Sequence, residues 1–255
     1  MLLMVRTYLS CLIAVVSVIS GMPEAVAQSA SLNSQKYGIV LGTSRVIYPT
    51  DGRGVSLRVT NPEDYPILVQ SQVMNEDKKT EAPFYVTPPL FRLEGRQQNT
   101  LRIVRTGGNY PAARESLTWL CVRGIPPKDG DVWAEDKSKS LQTSGGVAML
   151  MQLSINSCIK LLVRPDSLSG NPSDMADKLV WKITGKNLTA ANPTPYYMNL
   201  DSLSFNGKKL KADYIPPLSE HEFTLPDGSG VRGKVNWTVI GDYGDKSTVR
   251  SAEIK

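Results

Sequence analysis

Residues Val147–Pro165, V-A-M-L-M-Q-L-S-I-N-S-C-I-K-L-L-V-R-P, are the most informative segment of this 255-residue chain. Apolar side chains recur there at every second position, which is the period of a β-strand with one apolar face. They are Val147, Met149, Met151, Leu153 and Ile155. Periodicity alone predicts a core strand. The two methionines are flexible side chains that suit an adaptable surface, so a binding strand remains the alternative.

Lys160 belongs to the same segment but not to the apolar row. It follows Ile155 by five residues. Strand periodicity therefore predicts that it faces the opposite way, unless a β-bulge intervenes.

Residues 1–27 have the features of a secretory signal peptide. Arg6 provides the positive charge, residues 9–19 form a short apolar region, and Ala25-Val26-Ala27 is a cleavage motif before Gln28. The apolar run is too short to span a bilayer. We therefore expect an exported, periplasmic protein that begins at Gln28 and has no transmembrane segment.

Two cysteines remain after removal of the signal peptide, Cys121 and Cys158. An even number in an exported protein predicts one disulfide, with two free buried thiols as the alternative. By the chain-entropy model, closing a loop of this length stabilises the fold by about 4 kcal/mol. A metal site is not expected, because His221 is the only histidine and no C-x-x-C motif is present.

The charged residues give no sign of nucleic-acid binding or catalysis. The net charge is +5, and the basic residues are scattered rather than grouped beside aromatic residues. His221 stands between two glutamates in a polar segment, which predicts an exposed surface residue. No nucleophile motif or phosphate loop occurs. We therefore expect no enzyme activity, no catalytic residue and no cofactor.

The rest of the chain predicts many short strands separated by turns. From Gly38 onward, alternating apolar residues and turn motifs at this spacing are typical of a β-sandwich. The polar segment Pro126–Gly146 predicts a long loop with the disulfide at its base, so its two flanking strands should be antiparallel neighbours. Residues 165–176 resemble a linker. We therefore predict domains at 28–165 and 166–255.

Seven short motifs in a fixed order make the chain resemble a known family. They are S-R-V-I-Y-P (44–49), T-P-P-L-F-R-L (87–93), R-E-S-L-T-W-L (114–120), G-I-P-P (124–127), C-I-K-L-L-V-R-P (158–165), N-P-T-P-Y-Y (192–197) and G-D-Y-G (241–244). The chain resembles the periplasmic chaperones of the chaperone–usher pathway over nearly its whole mature length. The first residue of G-D-Y-G is a small departure, since Asn is common there. The resemblance implies an all-β fold with two immunoglobulin-like β-sandwich domains arranged in an L shape.

The long loop and the cysteine pair are similar to one subfamily, which serves afimbrial or capsule-like adhesive fibres. In this family the last strand of domain 1 completes an unfinished fibre subunit, and the matching residues are the apolar row Val147–Ile155. By the same resemblance, Arg45 and Lys160 anchor the subunit's C-terminal carboxylate, and three residues form an interdomain ion network. Those three are Glu115, Arg164 and Asp242. From the residues alone, a solvated strand end is the favoured interpretation of each of these charges.

The implied partners are fibre or adhesin subunits and an outer-membrane usher. An exposed apolar strand edge also predicts self-association of the free protein. One competing interpretation is a fibre subunit or adhesin with an immunoglobulin-like fold, but the two sandwich-like halves argue against it. Another is an exported enzyme built on a β-sandwich, which the lack of any histidine-centred cluster disfavours.

Overall fold

The computed structural model describes residues 31–128, 130–134 and 148–255, so the predicted signal peptide and Val147 lie outside the described residues. The first eleven strands are β1 (Ser31–Tyr37), β2 (Val40–Leu41), β3 (Arg45–Pro49), β4 (Val55–Thr60), β5 (Ile67–Asn75), β6 (Phe84–Thr87), β7 (Leu90–Leu93), β8 (Gln98–Arg105), β9 (Ser116–Ile125), β10 (Ala148–Ser154) and β11 (Asn156–Arg164). They are followed by β12 (Val180–Thr184), β13 (Asn187–Asn192), β14 (Met198–Phe205), β15 (Lys208–Lys209), β16 (Tyr214–Ile215), β17 (Ser219–Thr224), β18 (Gly233–Ile240) and β19 (Arg250–Ile254). Short 3-10 helices occur at Val132–Ala134 and Pro172–Lys178. In these ranges no helix is long and apolar enough to cross a membrane.

Strands β2 to β9 and β11 form the first sandwich. One sheet has the order β3-β11-β9-β5-β7 and the other β2-β4-β8-β6. Alternate residues point into the space between the sheets; on β5, for example, Ile67, Val69 and Val73 are buried. They join Leu101 and Leu120 in one continuous apolar core. The pairing of β3 with β11 is parallel, whereas β11 with β9 is antiparallel.

Strands β12 to β19 form the second sandwich. Its sheets have the orders β12-β13-β17 and β15-β14-β18-β19, with β16 also pairing with β14. Part of the predicted linker belongs to this core. Ala176, in the second 3-10 helix, is fully buried, and its carbonyl accepts a hydrogen bond of 2.8 Å from the Trp237 indole. The linker prediction is therefore wrong for its second half, because this helix covers one side of the core.

The prediction of an all-β fold built from two sandwich domains is confirmed. Five strands were not predicted from the sequence: β1, β13, β15, β16 and β17. The interpretation of His221 as an exposed residue is wrong. It lies on β17, is half-buried, and packs 4.7 Å from the Phe223 ring, because the two residues share one face of the strand.

Residues 148–164 form two strands, β10 and β11, rather than the single strand that the sequence predicts. β10 pairs with β1, whereas β11 pairs with β3 and β9, and Ile155 lies at the change of partner. The Ile155 amide donates to the Tyr37 carbonyl (3.0 Å), and its carbonyl accepts from the Gly124 amide (3.1 Å). A Cβ atom on Gly124 would collide with the Tyr37 carbonyl, so the close approach requires glycine.

The predicted disulfide is confirmed. Cys121 and Cys158 are bonded, and they are directly paired residues of the antiparallel strands β9 and β11. The predicted antiparallel pairing across this bond is confirmed for β9 and β11, but the first described strand after the predicted loop is β10, which pairs with β1 instead. Most of the predicted loop 126–146 lies outside the described residues. The bond joins the second and third strands of the larger sheet of the first sandwich.

Candidate functional site

Strand β10 presents an exposed apolar edge. The side chains of Met149, Met151, Leu153 and Ile155 are 38–59% exposed. Their predicted companion Val147 lies outside the described residues. Within the described part of the chain, β10 pairs only with β1, so the backbone groups along its other side have no strand partner. Such an edge is a template for pairing with another strand.

The apolar row and Lys160 lie on alternate faces of the continuing chain. Ile159, Leu161 and Val163 continue the odd-numbered positions and pack in the core of the first sandwich. Cys158 and Leu162, which flank Lys160 on the even-numbered face, pack in a separate cluster with Trp119 and Tyr197. Lys160 therefore faces away from the core.

Two cations, Arg45 and Lys160, lie side by side on neighbouring strands. They are directly paired residues of the parallel strands β3 and β11. Arg45 is 8% exposed; its Nη1 donates to the Ile240 carbonyl (3.2 Å), and its buried Nε has no partner. Burial lowers the pKa of Arg45. Burial, followed by the charge of Arg45, lowers the pKa of Lys160 to about 8.

This pair of cations lacks a compensating anion. No carboxylate of the described residues lies within ion-pair distance of either group. Two adjacent cations, one buried and one half-buried, with an unsatisfied donor are suited to binding a carboxylate, which accepts several charge-assisted hydrogen bonds.

A buried ion network surrounds Arg164. Its Nε contacts Glu115 Oε1 at 2.7 Å, and its two terminal nitrogens contact both oxygens of Asp242 at 2.6 and 2.7 Å. The second oxygen of Glu115 accepts a hydrogen bond of 2.8 Å from the Tyr197 amide. Burial raises the pKa of Glu115, and the charge of Arg164 opposes that change.

The network joins the two sandwiches. Arg164 ends β11 of the first sandwich, and Asp242 follows β18 of the second, in the G-D-Y-G turn. The Asp242 amide also donates to the Asn171 side-chain oxygen (3.2 Å). The structure therefore brings Glu115, Arg164 and Asp242 together, and it separately places Arg45 beside Lys160.

The aromatic residues near Lys160 were not predicted from the sequence. Its Nζ lies 4.6 Å from the centre of the Tyr214 ring and 5.8 Å from that of Trp119. The position of Trp119 beside Lys160 could have been predicted from the cysteine pair. If Cys121 pairs with Cys158 on antiparallel strands, Trp119 must pair with Lys160, as it does. Tyr214 comes from a distant part of the chain, and no local pattern connects it to the site.

Comparisons with known proteins agree with this architecture. The family model described as pili and flagellar-assembly chaperone, PapD N-terminal domain, matches residues 38–169. The model described as pili assembly chaperone PapD, C-terminal domain, matches residues 174–251. Together the two models span both sandwiches.

Relatives and solved structures are similar over most of the chain. The chaperone protein Caf1M of Yersinia pestis is 46% identical, over 92% of this chain and 94% of its own length. The chaperone protein AfaB of Escherichia coli is 50% identical, over 81% and 83%. The crystal structure of the E. coli chaperone DraB is 47% identical with a TM-score of 0.75, covering 88% of this chain and all of that one. A Salmonella enterica structure of SafA pilin in complex with the SafB chaperone has 42% identity and a TM-score of 0.74, covering 87% and 99%. This chain therefore belongs to the PapD-like family of pili assembly chaperones.

Proposed function

We propose that this protein is a periplasmic chaperone that captures incomplete fibre or adhesin subunits with β10 and delivers them to an outer-membrane usher. The exposed apolar edge of β10 is the observation that carries the proposal. A subunit that lacks a strand exposes an apolar groove and unpaired backbone groups, and an added strand satisfies both. In the solved relative from Salmonella, a chaperone is in complex with a pilin.

The same proposal includes the localisation, the domain bounds, the class of fibre, the self-association and the role of the ion network. Residues 1–27 direct the chain to the periplasm, and the mature domains extend over 28–165 and 166–255. The sequence of residues 126–146 and the Cys121–Cys158 pair support an assignment to the chaperones of afimbrial or capsule-like fibres. The exposed edge of β10 also leads the free protein to self-associate. The network of Glu115, Arg164 and Asp242 holds the two domains together.

The apolar row supplies one part of the binding free energy. A fully buried apolar side chain contributes roughly 1.5–3 kcal/mol. The four described side chains of the row are already about half covered, so their complete burial adds roughly 3–6 kcal/mol before the cost of ordering. Backbone pairing along the free side of β10 adds to this sum.

Arg45 and Lys160 supply the other part by anchoring the subunit's terminal carboxylate. Each charge-assisted hydrogen bond contributes about 1.5–3 kcal/mol. The anchor and the row therefore contribute on a similar scale, and loss of either should prevent stable capture.

Replacing Lys160 with alanine is expected to abolish capture and leave the protein folded. The variant lacks one of the two cations, and Lys160 contributes little to the apolar core. Co-expression with the fibre subunit encoded beside the chaperone, followed by pull-down from the periplasm, measures the yield of complex. Lys182→Ala removes an exposed lysine and serves as the control. A normal yield of complex with Lys160→Ala would exclude the anchor role.

Capture is also expected to weaken above about pH 8. The free Lys160 amine has a pKa of about 8, and a bound carboxylate raises it. Binding is therefore at full strength below this pKa and weakens above it, by up to about tenfold per pH unit, until the pKa of the complex is reached. Wild type and Lys160→Arg can compete for a limited amount of subunit at pH 7, 8 and 9. The subunit should shift toward the arginine variant as pH rises, because arginine stays charged; a constant ratio would contradict the prediction.

A further inference from the structure

The amine of Lys160 lies between two aromatic rings that belong to different sandwiches. Trp119 is its direct neighbour on β9, and Tyr214 is on β16 of the second sandwich. The distances from Nζ to the ring centres, 5.8 and 4.6 Å, are both within the range of cation–π attraction. The half-buried amine therefore lies close to two electron-rich ring systems.

Both rings are held by the hairpin tip that follows β5. The Trp119 indole donates to the Glu76 carbonyl (3.2 Å), and the Lys78 amine lies 3.6 Å from the centre of its ring. The Tyr214 ring packs 5.8 Å from that of Tyr197. The Tyr197 hydroxyl in turn donates to a side-chain oxygen of Glu76 (3.4 Å). The hairpin tip therefore contacts Trp119 directly and reaches Tyr214 through Tyr197.

The hairpin tip is itself rigid. The side chain of Asp77 accepts hydrogen bonds from the amides of Lys79 (2.8 Å) and Thr80 (3.1 Å). The Asn75 amide pairs with the Thr80 carbonyl across the turn (2.8 Å). Glu76 and Lys78, which hold the rings, are thus carried by a segment with little freedom of its own.

The charges around Lys160 oppose its protonation more than they support it. Arg45 and Lys78 disfavour the charged amine, and only Asp213 among the nearby acids favours it. A lysine in such surroundings tends to lose its proton or to turn toward solvent. Aromatic faces counteract both tendencies, because their attraction acts on the ammonium form.

We propose that Trp119 and Tyr214 form an aromatic cage that keeps the Lys160 ammonium charged and aimed at the terminal carboxylate of a subunit. The two residues are positioning residues, which act through Lys160 and do not contact the carboxylate. This inference rests on the proposed anchor role of Lys160. It adds a requirement that the two sandwiches meet correctly, since each contributes one ring.

Comparison of Tyr214→Leu with Tyr214→Phe tests the cage. Phenylalanine keeps the aromatic face and loses only the hydroxyl, whereas leucine keeps bulk and loses the face. In Tyr214→Leu we expect a lower Lys160 pKa and capture weakened about tenfold, and in Tyr214→Phe both values within about twofold of wild type. The pKa is measured by NMR of isotope-labelled lysine side chains, with Lys160→Arg assigning the signal. Capture is measured as the share of subunit taken when variant and wild type compete in one periplasm.

Each outcome has a distinct meaning. An unchanged pKa and unchanged capture in Tyr214→Leu, alongside lost capture in Lys160→Ala, would overturn the cage and leave the anchor intact. Normal capture by Lys160→Ala would overturn the anchor and the cage together. Equal losses in Tyr214→Phe and Tyr214→Leu would assign Tyr214 a structural role through its hydroxyl and would also overturn the cage. Thermal unfolding of both variants identifies a loss that is due to instability alone.

Discussion

The double variant Met151→Arg, Leu153→Arg is expected to lose subunit capture completely and to remain folded. Both side chains are about 40% exposed, so their replacement removes few contacts within the protein. In the complex, each arginine would be placed in an apolar groove without a partner, which costs several kcal/mol per charge. Two such charges should weaken binding by at least about a thousandfold. Pull-down from the periplasm after co-expression with the subunit measures the effect.

Leu150→Arg is the matched control for this experiment. Leu150 lies on the same strand with a similar exposure of 47%, but on the opposite face from the row. The Leu150→Arg variant should capture the subunit nearly as well as the wild type does. If the double variant and the control bind equally, the apolar row does not enter the subunit.

Sedimentation of the free proteins gives a second readout, because the double variant should self-associate less than wild type if β10 mediates self-association.

Arg164→Ala is expected to destabilise the protein by about 3–5 kcal/mol. Glu115 is 2% exposed, and without Arg164 its carboxylate would be buried with no opposite charge in contact. Urea unfolding measures the loss. The matched control is Lys182→Ala, which breaks an exposed ion pair with Glu220 and should cost less than about 1 kcal/mol.

The pH dependence of this variant provides a further check. Burial already raises the pKa of Glu115 in the wild type, and loss of Arg164 raises it further. A carboxyl group whose folded-state pKa exceeds its unfolded value destabilises the fold at high pH, and this penalty disappears as pH falls below the folded-state pKa. The stability difference between Arg164→Ala and wild type should therefore shrink on acidification. A difference that stays constant or grows would show that the unpaired carboxylate is not its cause.

The sequence predicted the parts of the fold that repeat a simple pattern. Alternation of apolar residues identified β10 and most strands of both sandwiches. The even cysteine count identified the disulfide, and the register it implies would also have placed Trp119 opposite Lys160. Strands such as β13 and β17 were missed because their burial comes from neighbours distant in sequence, which local alternation does not record.

The features that were not predictable depend on a change of strand partner or on contacts between residues that are distant in sequence. The apolar alternation resumes at Ile159 after a single polar residue, Ser157, so it does not reveal that β10 and β11 belong to different sheets. The resemblance to a chaperone family predicted that Arg45 and Lys160 act together, and the structure places them side by side. The position of Tyr214 beside the amine depends on a contact between residues distant in sequence, which no local pattern predicts.

If β10 and the Arg45–Lys160 pair bind a subunit as proposed, the direct connection of β10 to β11 fixes the distance between the two points of contact. Leu153 and Lys160 are seven residues apart on one nearly continuous extended segment, about 23 Å at 3.3 Å per residue. A subunit is held at both places only if its groove and its terminal carboxylate are separated by the same span. A subunit with one extra C-terminal residue would be displaced by about 3.3 Å and would present the wrong face of its strand. The chaperone would then select its clients by where their chain ends as well as by the shape of their groove.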